Sequence, residues 1–141
     1  MSEYDVAVIG GGTAGAIAAI QAGRARARTL LVEKASILGG TIVLGGVNCV
    51  QSFFAYERQV IGGIGWEIVC RTREETGEPP VRGEEYQEDS GVVRCPVNAA
   101  VFAALLDEAV LDAHVDLRFH TMPAGVERDG DAWRLTLCTR T

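Results

Sequence analysis

The segment Tyr4–Lys34, "YDVAVIGGGTAGAIAAIQAGRARARTLLVEK", decides the fold of this chain. It opens with a β-branched run over Tyr4–Ile9, which is typical of a short buried strand. An alanine-rich run from Ala14 to about Arg26 predicts a helix whose small apolar side packs closely on a sheet. The apolar run Thr29–Glu33 predicts a second strand. A strand, a helix and a strand within about thirty residues form a right-handed unit with parallel strands.

Three glycines in this segment, Gly10, Gly12 and Gly15, have the spacing GxGxxG. The first permits a tight turn out of the strand, the second lets the backbone approach a pyrophosphate, and the third lets the helix pack on the strand. The helix start adds N–H groups and the positive end of its dipole, and Thr13 adds a hydroxyl. Strand, glycines and helix in this order predict a site for the phosphates of a dinucleotide.

An acidic residue, Glu33, ends the second strand eighteen residues after Gly15. A carboxylate at this point accepts hydrogen bonds from a ribose 2′-hydroxyl and repels a 2′-phosphate, which disfavours NADP. FAD and NAD both carry the free hydroxyl, so Glu33 does not separate them. The residues expected to contact the nucleotide here are Gly10, Gly12, Thr13, Ala14, Gly15, Glu33 and Lys34.

The next glycine-rich stretch, "GGTIVLGGVN", separates the cofactors by resemblance. Together with GxGxxG and the acid, its Gly39-Gly40-Thr41 resembles the FAD-dependent oxidoreductases of the two-dinucleotide-binding-domain superfamily, which includes glutathione-reductase-like and fumarate-reductase-like proteins. The resemblance implies FAD as the cofactor, with Gly40 and Thr41 near its pyrophosphate. It also implies that Gly45, Gly46 and Val47 lie near the flavin ring.

Beyond this unit, the chain alternates between irregular and periodic stretches. We expect a loop over Ala35–Asn48 and a helix from about Val60 or Gly65 to Glu75. Pro79-Pro80 prevents that helix from continuing, and the acidic stretch at about 77–95 is expected to be a loop insertion.

A third helix is predicted to begin at Pro96, followed by a third strand over Val115–Thr121. Asp129-Gly130 lies between two β-like runs, Ala124–Arg128 and Trp133–Cys138, and indicates a hairpin. The predicted fold is therefore α/β: a single Rossmann-like, three-layer FAD/NAD(P)-binding domain over residues 1–141, with a parallel sheet and the start of a β-meander.

The flavoproteins that this chain resembles continue into a further strand with a glycine–aspartate motif, which is absent here, and into a substrate domain. We therefore expect this chain to be the N-terminal part of a longer oxidoreductase, completed by a missing C-terminal portion or a companion subunit. Without those parts we expect weak FAD binding or none, low solubility, and no activity from the chain alone. The sequence names neither the substrate nor the catalytic residues.

Composition excludes several other classes of function. The chain has 141 residues and a formal charge of −6, which argues against nucleic acid as a partner. No apolar run is long enough to cross a bilayer, and no signal peptide is evident, so a cytoplasmic location is expected. Arg24, Arg26 and Arg28 are explained by the favourable effect of positive charge in the last turn of the helix.

Four further side chains, Cys49, Trp66, Trp133 and His120, are candidates for a functional role. The cysteines form no CxxC pair, so no metal site is expected, and Cys49 is expected to be buried and inert rather than bound covalently to flavin. Trp66 and Trp133 are expected to be packing residues. His120 is expected to be a structural histidine.

Two alternatives from other classes remain open. A protein that resembles thiamine thiazole synthases would share the fold and the glycine-rich loop but would consume a dinucleotide as substrate. A non-catalytic nucleotide-binding module would bind the dinucleotide without redox chemistry. An adenylated product, a bound flavin or binding of NAD would distinguish the three.

Overall fold

The computed structural model describes residues 2–55, 58–81 and 94–139. Along these residues the elements are β1 (Val6–Ile9), α1 (Thr13–Arg24), β2 (Thr29–Val32), β3 (Cys49–Gln51), β4 (Phe54–Ala55), β5 (Arg58–Gln59), α2 (Ile64–Glu75), β6 (Arg94–Pro96), α3 (Ala99–Asp112), β7 (Asp116–Arg118), β8 (Thr121–Asp129) and β9 (Ala132–Thr139). The chain divides into a first compact unit, Met1–Leu38 with Val110–Thr141, and a second, Gly39–Ala109. The single domain over 1–141 stays a prediction.

The first unit contains a parallel sheet in the order β1-β2-β7. β1 pairs with β2 from Val6↔Thr29 to Ile9↔Val32, and β2 pairs with β7 around Leu31↔Leu117. All four residues of β2 are buried, as expected for an apolar strand with a neighbour on each side. Helix α1 follows β1 directly, and its buried side is formed by Ala16, Ala19 and Ile20. The α/β class and the parallel β-α-β unit are confirmed.

Two boundaries in the first unit differ from prediction. Helix α1 ends at Arg24, so Arg26 lies outside its last turn and adopts a left-handed conformation with φ of 66°. The third strand stops at Arg118 instead of Thr121, because the chain turns at His120, whose φ is 49°. The backbone N–H of His120 donates to the carbonyl of Ala35 at this turn.

The hairpin predicted around Asp129-Gly130 is confirmed as β8 and β9. The two strands pair from Thr121↔Thr139 to Asp129↔Ala132, with an irregularity between Pro123 and Gly125. Gly130 has a φ of 63°, which a short hairpin turn requires and which glycine adopts without strain.

The second unit contains α2 and two small sheets that the sequence pattern did not predict. β3 pairs with β6 and β4 pairs with β5, each in antiparallel orientation. These strands have only two or three residues, too few to show an alternating pattern. Ala35–Asn48 forms turns without a regular strand or helix, which confirms the predicted loop. Of the predicted insertion at 77–95, residues 82–93 lie outside the described residues.

The last helix begins later than predicted. Pro96 pairs with Cys49 in the β3–β6 ladder, and α3 begins only at Ala99. Asn98 sets this start, because its Oδ1 accepts the backbone N–H groups of Ala100 at 3.0 Å and Val101 at 3.2 Å. Asparagine is among the best residues for this capping role. None of the helices in the described ranges has the length and apolarity that a membrane crossing requires.

Candidate nucleotide-binding site

The turn from β1 into α1 is built from glycines. Gly10 has a φ of 104°, which only glycine adopts without strain, and its N–H donates to the carbonyl of Val32 at 2.7 Å. Gly12 is the N-cap of α1 and makes no side-chain cap, and the first intrahelical bond runs from Ala16 N–H to Gly12 O at 2.9 Å. The first-turn N–H groups of a helix have no intrahelical acceptor, so this end of α1 attracts an anion.

Gly12 and Gly15 are glycines for different reasons. A Cβ atom on Gly15 would collide with the carbonyl oxygen of Gly10, so the helix and the turn pack too closely for any side chain there. A Cβ atom on Gly12 would meet nothing within 4 Å. The open space beside the Gly12 backbone is the kind of cradle that a pyrophosphate fills, and the residues present therefore fit the phosphates of FAD.

The middle glycine, Gly11, packs against the end of β2. It is buried, and a Cβ atom there would overlap Leu38 Cδ2 and lie 3.1 Å from the Cβ of Glu33. Its N–H donates to Glu33 Oε2 at 2.6 Å. The structure therefore explains the third consecutive glycine, which neither a tight turn nor phosphate approach requires.

Glu33 is fixed at the carboxyl end of β2 by backbone and side-chain bonds. Its N–H donates to Arg118 O at 2.9 Å, and its carbonyl accepts the N–H of Thr121 at 3.0 Å. Its Oε1 accepts the N–H of Ala35 at 2.7 Å, and the residue is only 8% exposed. Each carboxylate oxygen accepts more than one hydrogen bond, so a ribose hydroxyl still has an acceptor here.

The structure brings the seven expected nucleotide contacts of the first unit onto three neighbouring segments. Gly10, Gly12, Thr13, Ala14 and Gly15 lie in the β1–α1 turn and the first turn of α1, and Glu33 and Lys34 directly follow β2. Ala14 and Lys34 are exposed. The carboxyl ends of parallel strands are where ligands bind in sheets of this type. Sequence reasoning did not identify Gly11 and Ala35 as hydrogen-bond donors to Glu33. The only feature of the sequence that pointed to such a role was the extra glycine at position 11.

The remaining expected contacts, Gly40, Thr41 and Gly46, lie in the second unit. Gly40 and Gly46 have φ values of 45° and 69°. The carbonyl of Gly40 accepts the N–H groups of Leu44 and Gly45 at 2.7 and 3.1 Å, and Thr41 is exposed. These residues form a tight series of turns, and their contacts with a cofactor stay predictions.

The other candidates are placed as follows. Trp66 is confirmed as a packing residue, since its ring lies 4.9 Å from that of Phe53. The same prediction for Trp133 is wrong, because its side chain is 68% exposed in the β8–β9 hairpin. The spacing of hydrophobic residues in the sequence does not show whether another segment packs over this tryptophan. Cys49 is half-buried in β3, and His120 is exposed. Within the described residues, no group of three or more His, Cys, Asp and Glu side chains is placed to hold a metal ion.

Curated proteins match parts of the sequence. The chain is 46% identical over 50 residues to mitochondrial dihydrolipoyl dehydrogenase of Schizosaccharomyces pombe. The aligned region covers 36% of this chain and 9% of that protein. The chain is 34% identical over 83 positions to ferredoxin–NADP reductase 3 of Lysinibacillus sphaericus, covering 59% of this chain and 18% of that protein. The chain thus spans less than a fifth of the length of these relatives.

The fold is also that of a solved protein. A geranylgeranyl bacteriochlorophyll reductase-like protein from Thermoplasma acidophilum superposes with a TM-score of 0.59 at 17% identity, covering 95% of this chain and 34% of that one. The sequence matches the FAD-dependent oxidoreductase family over residues 5–141, nearly its whole length. The chain therefore belongs to the FAD-dependent oxidoreductase family, and its cofactor is FAD.

Proposed function

We propose that this chain is the FAD-binding portion of a flavin-dependent oxidoreductase, and that its glycine turn and Glu33 bind the ADP moiety of FAD. The observation that carries the proposal is the open space beside Gly12, at the start of α1, where the N-cap residue makes no side-chain hydrogen bond. The carboxylate of Glu33 is held at the end of the adjacent strand by its bond to Gly11. An adenosine diphosphate needs both features, one for phosphate and one for ribose.

The residues of the first unit have distinct roles in this proposal. The backbone at Gly12 lets the pyrophosphate approach, and the dipole and N–H groups of α1 stabilise its negative charge. Thr13 begins the helix and brings its hydroxyl to the same end. Glu33 accepts from the ribose hydroxyls, and the exposed Lys34 adds a positive charge next to it. Bound FAD would supply the hydride chemistry, for which the protein provides position and electrostatics.

For the second unit, we propose that Gly40, Thr41 and Gly46 also contact FAD, as the resemblance implies. The supporting observations are the exposed Thr41 and the positive φ values of Gly40 and Gly46. Glycine adopts such values without strain, and it leaves the backbone uncovered by a side chain.

The finer placement in the superfamily with two dinucleotide-binding domains is likewise a proposal. It is supported by the 46% identity to a dihydrolipoyl dehydrogenase over 50 residues. A completing C-terminal portion or companion subunit is proposed because the chain spans less than a fifth of the length of these relatives. The cytoplasmic location stays a prediction, and no substrate is proposed.

The test is a calorimetric titration of the full 141-residue chain with ADP and with FAD. Gly12→Ala fills the open space, so we expect it to weaken ADP binding at least about tenfold. Gly62→Ala is the matched control, because a Cβ atom there meets only the end of the Gln59 side chain at 3.9 Å. Failure of the unsubstituted chain to bind either ligand, or equal binding by Gly12→Ala, would overturn the proposal.

Mass spectrometry of the small molecules that copurify with the chain separates the alternatives. A bound flavin supports the proposed function. An adenylated product in its place supports an enzyme that consumes a dinucleotide, and binding of NAD without flavin supports a non-catalytic module.

A further inference from the structure

The carboxylate of Glu33 has a second set of partners inside the protein. Oε2 accepts the N–H of Gly11 at 2.6 Å, and Oε1 accepts the N–H of Ala35 at 2.7 Å. Gly11 belongs to the turn that leaves β1, and Ala35 to the turn that leaves β2. One buried side chain therefore joins the two turns that the proposed nucleotide site requires.

Packing around Gly11 supports the same role. Gly11 is buried against the fully buried Leu38, with no room for a Cβ atom. Its N–H donates to Glu33 at 2.6 Å, and a methyl group at this position would require the Leu38 side chain to move. Gly10 and Gly12, on either side, face open space. Gly11 is thus the residue of the glycine turn that packs against Leu38 and Glu33, and Glu33 is its hydrogen-bond acceptor.

We propose that Glu33 is a positioning residue, whose carboxylate sets the glycine turn in its phosphate-binding geometry before any nucleotide arrives. The inference rests on the proposed function and deepens it. A residue that did no more than bind the ribose would strengthen the binding only of nucleotides that carry the ribose hydroxyls. A positioning residue contributes equally to a ligand without them, because it acts through the backbone that meets the phosphates.

Glutamine is the informative substitution at this position. An ionised carboxylate only accepts, which suits two converging N–H groups. Glu33→Gln keeps the size but turns an NH₂ group toward one of those N–H groups, so a donor faces a donor. Glu3→Gln is the matched control, because Glu3 is an exposed carboxylate of the same unit and the charge change is identical.

The first test needs no nucleotide. Amide hydrogen exchange, measured by NMR on the full chain, is expected to show Gly11 and Ala35 protected in the unsubstituted protein. Glu33→Gln should raise the exchange rate of at least one of them about tenfold or more, and Glu3→Gln should leave both rates unchanged. Fast exchange of both amides in the unsubstituted protein overturns the inference, and this readout stands even if Glu33→Gln does not fold.

The second test compares ADP with 2′,3′-dideoxy-ADP by calorimetry. We expect Glu33→Gln to weaken 2′,3′-dideoxy-ADP about tenfold and ADP by at least as much, because the loss of the ribose contact adds to the loss of positioning. Weakening of ADP alone would make Glu33 a ribose ligand only and overturn the inference. If the unsubstituted chain binds neither ligand, the proposed function fails, and the exchange experiment decides the role of Glu33 by itself.

Discussion

A Cβ atom on Gly15 would run into the carbonyl oxygen of Gly10, so the first turn of α1 rests directly on the backbone of the preceding turn. Replacing a glycine inside a helix by alanine usually stabilises the helix by about 1 kcal/mol, because alanine has the higher helix propensity. At Gly15 we expect the collision to outweigh that gain and Gly15→Ala to lower the free energy of unfolding by about 2 kcal/mol or more. Urea denaturation of the nucleotide-free chain measures it.

Gly12→Ala is the comparison for this prediction, since a side chain there enters open space. Its cost should be limited to the poorer N-cap that alanine makes, about 1 kcal/mol. An equal loss in both variants would contradict the close contact between Gly15 and Gly10.

Arg73 stabilises the second unit through a buried guanidinium. Its Nε and Nη2 donate to Pro79 O at 3.1 and 2.9 Å, and its Nη1 donates to Pro96 O at 2.9 Å. The side chain is 7% exposed. Arg73→Ala leaves these carbonyls without their donors, and we expect it to lower the free energy of unfolding by about 2–3 kcal/mol, measured by urea denaturation.

Arg71 provides the control on the same helix. Its guanidinium pairs with Glu108 at 3.1 Å, and both side chains are largely exposed. Arg71→Ala should therefore cost no more than about 1 kcal/mol. A cost for Arg73→Ala as small as that of Arg71→Ala would show that the buried hydrogen bonds add little.

Asn98 is expected to determine where α3 begins. Asn98→Ala removes the acceptor for the N–H groups of Ala100 and Val101, at a cost of about 1 kcal/mol in the free energy of unfolding. Asn98→Asp keeps an acceptor and adds negative charge at a helix start, so it should retain full stability. Thermal unfolding of the two variants checks this, and equal destabilisation by both would contradict the capping role.

The acid sensitivity of the first unit is expected to depend on Asp116. Hydrogen bonds from Tyr4 and Arg118 lower the pKa of Asp116 in the folded chain. A carboxyl group with a lowered folded-state pKa adds stability above its unfolded-state pKa of about 3.9, and that stability is lost as the pH falls through the folded-state value.

The measurement is the pH dependence of urea denaturation for the unsubstituted chain and Asp116→Asn. We expect the unsubstituted chain to be the more stable at pH 6, with the difference shrinking below about pH 4. The gain is small because the side chains of Asp116 and Arg118 are 41% and 40% exposed. A difference that grows as the pH falls would contradict the lowered pKa.

Much of the first unit follows from local pattern. The strand over residues 6–9, the helix that follows and the β8–β9 hairpin each have a periodicity or turn signal of their own. The second unit shows where this ends. β3 and β6 pair residues that are more than forty positions apart, as in Cys49↔Pro96, and neither strand has enough residues to display a period.

The sequence by itself determined the glycine turn, the acid at the end of β2 and the family, because backbone conformation at glycine and the order of strand, helix and strand are set by near neighbours along the chain. Only the tertiary structure decided what Glu33 bonds to, why Gly11 is a glycine, and that Trp133 is exposed. These depend on which surfaces meet in space, and hydrogen bonds or collisions between segments more than twenty residues apart leave no periodic trace in either segment.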